Sequence, residues 1–479
     1  MAGIGFELKK LFRKNDGYIN LFKSYTISAI VTEGPMFLCI LMMMVLRQML
    51  VWENTTIALQ ESFLIIITYT MTFSMIISNS FMMFQSRYVS DCLYSKKVDK
   101  VIPSFYGIST ILLVIGIVLS SALVYKLPIT AFVKMISIAQ FQLVILSWVL
   151  INYLSCIKLY KEVVVGFAIA TFSSIVFGFV LLKVGMEPLS AVLLAWSVGY
   201  ALLVIGFISV LFKSFPQGKG NIFEFIGALD QYKGLVAIGF FMVLGLYGHN
   251  FVLWSSSYHT PVLSVLRYCI LYDIPSFYAV LSISPMMIMF TVSLEVNFYE
   301  QYRNYFQTIL QGGRYDDIQN AHEDMIRVLY RELAYMFELQ LIVAILSATV
   351  FGNALEYIGL DYTSLGIFRI LCFGYAFYGL MRCTIIVHLY FDDRKGALYT
   401  SAFFAISSIG ITIADLFMPI EFMGFGFAIA AVISAVLGLG RLHWFISNIG
   451  YQIFCKQPMF VKEENGFFMR ISKKLGGIR

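Results

Sequence analysis

The residues best placed to do chemistry are charged side chains lying in or beside long apolar runs: Glu33, Glu295, Glu338, Arg369, Arg382 and Asp415. Each run is long enough to cross a bilayer, which takes about 20 residues. A charge at the bilayer centre costs roughly 2.5–3.5 kcal/mol on insertion scales, so such residues are read first as pathway or gating groups. Glu33 has the most telling neighbours, Gly34 and Pro35. It stands nine residues into the run 24–45, roughly 13 Å along a helix. Proline removes a backbone donor and clashes with the carbonyl four residues back, so a kink or break is predicted there. A carboxylate beside a break is what a transport path would use, and pairing with a neighbouring helix is the structural alternative.

Arg382 lies at a similar depth in the run 365–391 and could pair with Glu33. Arg369 and Asp415 fall near the other ends of two adjacent antiparallel runs, differing in level by roughly 6 Å, and are expected to form a gating or structural salt bridge. Glu295 and Glu338 stand close to run ends, where snorkelling into water is the stronger reading and a place on the pathway the alternative. Pro285 predicts a second kink. His249, Tyr247, Tyr375 and Tyr378 fall at mid-run, where tyrosines suit both packing and stacking on sugar rings.

The elements positioning these residues follow from composition. Of 479 residues, 59% are hydrophobic and 13% charged, against about 25% charged in soluble domains. Twelve windows qualify as spans: 24–45, 62–84, 102–125, 136–157, 163–182, 189–212, 234–256, 274–298, 333–354, 365–391, 397–418 and 424–446. With the N-terminus inside, 26 Lys and Arg lie on the inner side and 5 on the outer, which sets both termini in the cytoplasm of a multi-pass cell-membrane protein. Scattered basic clusters speak for topology and against nucleic acid as partner. No cleavable leader is expected, and seven cysteines without CxxC spacing predict no structural disulfide.

The expected fold is all-α and integral to the membrane. A basic leader (1–23) precedes a six-helix bundle (24–212), a linker (213–233), a second six-helix bundle (234–447) and a tail (448–479). Within 299–332, Ile318, Met325 and Leu329 recur at helical spacing opposite charged residues. That segment is expected to be a surface helix, against the membrane or bundle, or a dock for a cytoplasmic partner. Walker A, GxSxG and HExxH patterns are absent, so neither an enzyme nor a cofactor or metal site is expected.

The opening MAGIGFELKKLFRKN (1–15), with Gly34-Pro35, twelve spans and a length just under 500, resembles the PelG-like Pel exopolysaccharide transporters. The resemblance implies the multidrug/oligosaccharidyl-lipid/polysaccharide exporter fold, two six-helix bundles in a V around a central cavity. It implies export of an N-acetylhexosamine polymer during biofilm formation, beside a cytoplasmic glycosyltransferase and other Pel membrane subunits, one a cyclic di-GMP sensor. The alternatives are a lipid-linked oligosaccharide flippase or cation-coupled multidrug exporter on the same fold, and a membrane scaffold or polytopic transferase without a pore.

Overall fold

In lipid every backbone polar group must be satisfied within its own segment, which leaves helices as the form for apolar runs of this length. The computed structural model describes residues 26, 28–216, 218, 220–357, 360–455 and 466–476. It has twelve helical segments long and apolar enough to cross a membrane. We number them as spans: one Gly34–Trp52, two Ile57–Tyr94, three Val98–Tyr125, four Ala131–Cys156, five Tyr160–Lys183 and six Pro188–Ser214. Then come seven Glu224–Trp254, eight Ile270–Val292, nine Tyr315–Leu355, ten Tyr362–Tyr390, eleven Arg394–Asp415 and twelve Ile420–Ser447. The leader 1–15 lies outside the described residues.

Helix ends reuse one device. Asn54, Lys96, Lys158, Gly185 and Asp392, each two residues past a span, adopt positive φ. The next amide then bonds back across the last turn, as in Lys97 N to Cys92 O (2.9 Å), Leu159 N to Leu154 O (3.0 Å) and Asp393 N to His388 O (2.8 Å). This left-handed cap satisfies orphan carbonyls and reverses the chain in few residues.

By contacts the chain forms two compact units. One holds Gly34–Tyr247, with His259–Tyr268 and the helix Phe467–Gly476. In it the hairpin Thr260–Val262/Leu266–Tyr268 is pinned to span two, where the Tyr69 hydroxyl donates to Arg267 O (2.8 Å) and accepts from Arg267 N (3.1 Å). The Phe467–Gly476 helix sits on 223–230, with Asp230 accepting from Phe468 N and Met469 N (3.3 and 2.8 Å) and Ser472 donating to Phe223 O (3.2 Å). The other unit holds Gly248–Tyr258, spans eight to twelve, and the residues leading into Gly34.

Span nine departs from expectation. The segment predicted as a separate surface helix is the first half of one uninterrupted helix, Tyr315–Leu346. The helix Tyr299–Leu310 precedes it across a turn at Gly312, so residues 299–332 form a helical arm. Met325 (0% exposed) and Leu329 (1%) are buried and Ile318 is half-buried, while Asp316, Asp317, Glu323, Asp324 and Arg327 are exposed.

Candidate functional site: two interrupted helices

Two interruptions define the site. Residues 28–32 are helical, Glu33 is a turn, and the helix restarts at Gly34. Pro35 thereby occupies the first turn of a helix, where its missing N–H costs nothing. Span eight is likewise split into Ile270–Leu281 and Ser284–Val292, with Pro285 second in the latter.

Glu33 and the interruption of span eight lie within one unit. Glu33 Oε2 accepts from Ser284 Oγ at 3.5 Å, the long limit for such a bond. Ser284 opens a helix, so the carboxylate lies at a helix N-terminus, where the backbone dipole favours negative charge. Arg382 of span ten is the charge acting on Glu33, although the two make no ion pair within 4 Å among the described residues. Gly379, one turn earlier, lets span ten close on the interruption: a Cβ there would lie 2.8 Å from Met286 Sδ and 3.0 Å from Ile283 Cδ1.

A polar cluster lies elsewhere in the same unit. His249 Nδ1 and the Tyr272 hydroxyl are 2.8 Å apart, and the His249 ring packs on Phe427 with centroids 4.4 Å apart. Tyr375 bonds Ser276 (3.0 Å) and also packs on Phe427, as does Tyr378. Asp273, which sequence reasoning missed, accepts from Asn250 Nδ2 (2.7 Å), Trp254 Nε1 (2.8 Å) and Cys269 N (2.8 Å). Tyr247 falls in the other unit, with its hydroxyl 3.5 Å from Met75 Sδ.

The remaining expected residues are spread more widely. Arg369 and Asp415 do not form the expected salt bridge. Arg369 Nε donates to Ala348 O (3.3 Å) in a π-helical turn of span nine, and buried Asp415 accepts from Gly426 N (2.6 Å) at the start of span twelve. Each charge meets a backbone group instead, for Asp415 a first-turn amide that has no partner within its own helix. The backbone of Glu295 lies in the π-helical turn Ser293–Phe298, and its side chain is outside the described residues. Glu338 is exposed.

A second missed cluster ties spans ten, eleven and twelve. Asp393, 4% exposed at its side chain, receives Arg441 through Nε and Nη2 (3.0 Å each) and Gly396 N (3.1 Å), and lies 3.1 Å from His388 Nδ1. Burial alone would raise its pKa, but His388, Arg441 and the Gly396 amide bring it down to about 2. No group of three or more His, Cys, Asp and Glu able to hold a metal occurs among the described residues.

Residues 1–454 match the model of a family described as "PelG: Putative exopolysaccharide Exporter (EPS-E)". The chain belongs to the PelG family. Its fold is that of solved transporters of the MOP superfamily. A MOP superfamily transporter from Pyrococcus furiosus is 11% identical over 89% of this chain and 96% of that one, with TM-score 0.58. A multidrug resistance MATE family transporter in the outward-facing conformation is 10% identical over the same shares, with TM-score 0.59. At such identity the likeness shows the fold alone. No curated protein matches the chain. A PelG-family chain on this fold is a membrane transporter of an exopolysaccharide export system.

Proposed function

We propose that this protein exports a Pel-type amino-sugar polymer across the cytoplasmic membrane, with both termini in the cytoplasm, for the biofilm matrix. Family membership over residues 1–454 supports the cargo class. The observation that carries the pathway is Glu33, held against the interruption of span eight at Ser284. Discontinuous helices, whose half-helix ends and unwound backbone present polar groups near the midplane, are how many membrane carriers build their substrate sites. A partly deacetylated amino-sugar polymer is cationic, and a carboxylate suits it. The protein works as two six-span halves, 24–212 and 234–447, joined by 213–233, and carries no catalytic site of its own.

A cytoplasmic glycosyltransferase and further Pel membrane subunits, including a cyclic di-GMP sensor, are its partners. The exposed face of the 299–332 arm is the transferase dock, because Met325 and Leu329 are already used inside the chain. Deleting the gene should abolish secreted polymer while transferase activity persists in lysates. Unchanged secretion would refute the proposal.

A second reading, a cation-coupled exporter of lipid-linked oligosaccharide or drug, is favoured by Asp273, a half-buried carboxylate held by neutral donors. Collapse of export by a protonophore at constant ATP, abolished by Asp273→Asn, would select it.

A further inference from the structure

Gln340 is fully buried at the middle of span nine. Its Nε2 donates to Ser282 O at 3.0 Å, and its Oε1 meets no partner. A carbonyl only accepts, so the amide orientation is fixed by chemistry. Burying an amide half-satisfied costs about 1–3 kcal/mol, so the position is poor for stability alone.

The reason for the contact lies in span eight. Ser282 N and Ile283 N bond back three residues, to Ala279 O (3.1 Å) and Val280 O (3.3 Å), closing a tight turn. Pro285 brings no donor, and no backbone amide among the described residues bonds Ser282 O. In lipid a bare carbonyl is expensive, and Gln340 supplies its proton. Two residues on, Ser284 Oγ points to Glu33.

We propose that Gln340 is a positioning residue for the Glu33 site: by holding the Ser282 carbonyl it fixes the turn that aims Ser284 at Glu33. This rests on Glu33 belonging to the export path. The same helix carries the arm. Tyr315 and Gln340 are 25 residues apart on one uninterrupted helix, roughly 38 Å. Load applied at the arm therefore reaches the interruption through a single rigid element.

The test uses the full-length protein in its native membrane system. Gln340→Met keeps the volume and removes the donor. Exchange of the Ile283 and Met287 amides, which bond Val280 O and Ile283 O across the turn, should quicken at least tenfold, with neighbouring spans unchanged, and export should fall five- to tenfold while arm-bound partners still co-purify. Ser284→Ala, which leaves Gln340 in place, should lower export similarly without quickening exchange. The double variant should lose no more export than the worse single. Unchanged exchange at Ile283 and Met287 in Gln340→Met, or multiplying losses in the double variant, would overturn the assignment. Should Gln340→Met fail to fold, exchange at Ile283 and Met287 in Ser284→Ala decides alone, because quickening there would mean that Ser284 holds the turn instead of Gln340. Full export by Glu33→Gln would instead sink the reading of Glu33 and leave the exchange result standing.

Discussion

Glu33 and Ser284 stand 3.5 Å apart, a carboxylate from one interrupted helix against the opening residue of another. They are 251 residues apart in sequence, so only the fold joins them. Glu33→Gln keeps the shape and removes the charge, and it should cut polymer export at least tenfold with normal expression and an unchanged elution profile. Arg382 acts on Glu33 without a direct ion pair, so the swap of Glu33→Arg with Arg382→Glu should not restore export. Secreted polymer per cell measures both.

How much of this was readable beforehand differs by feature. The spans were plain, because runs of apolar residues leave one choice in lipid. The interruptions are marked by Pro35 and Pro285, which suit the first turn of a helix and therefore favour a restart there. The continuity of Tyr315–Leu346 does not show in the sequence. A polarity change at about residue 332 reads as a boundary, yet the segment holds no Gly or Pro to stop a helix. Arg369 and Asp415 were paired on depth alone, while both had backbone partners that a sequence does not display. Nothing in the sequence marks Asp393 as buried, since it stands in a short charged turn. Only the left-handed cap at Asp392 turns it back onto His388, and Arg441 lies 48 residues further on.

Asp393 should make stability depend on pH in acid. Its ordinary pKa of 3.8 is lowered in the folded protein to about 2. A lowered pKa means the folded state prefers the ionised form. The stabilisation is therefore full above about pH 4 and is lost as pH falls toward 2. A shift of this size corresponds to about 2 kcal/mol. Thermal unfolding in detergent should show wild type losing this increment between pH 4 and 2, with Asp393→Asn less stable at pH 7 and flatter across that range. Equal pH slopes in the two proteins would contradict the assignment.

Asp415 and Gly426 form a close-packed cap at the start of span twelve. A Cβ on Gly426 would lie 2.6 Å from Thr412 N and 2.7 Å from Asp415 Oδ2, so Gly426→Ala must push the two spans apart. Overpacking of this kind costs about 1–3 kcal/mol. Asp415→Ala removes a cap and should cost about 1–2 kcal/mol. Combined, they should be less than additive, since both break one contact. Arg369→Gln should leave the Asp415→Ala penalty unchanged, because Arg369 bonds a different span, and a double-mutant cycle on melting temperature checks this.

The C-terminal helix offers a last test, on residues 222–230, the joining segment that leads into and opens span seven. Asp230 accepts the first amides of Phe467–Gly476, and Gly466 just before them has no room for a side chain, since a Cβ would lie 2.1 Å from the Asp230 carboxyl. On the other side the same segment is held by Lys100 paired with Glu224, and by Gly107, which is pressed against Ile222 O. The joining segment is thus gripped from two directions. Asp230→Ala leaves the helix N-terminus uncapped, and Gly466→Ala displaces it sterically. Both should free the helix, so trypsin should cut at Arg470 and Lys474, both exposed, several times faster than in wild type. Lys100→Ala weakens the grip without touching the helix and should leave those cleavage rates unchanged. If Lys100→Ala quickens cleavage as much as Asp230→Ala does, the helix is held by the segment as a whole and not by its cap.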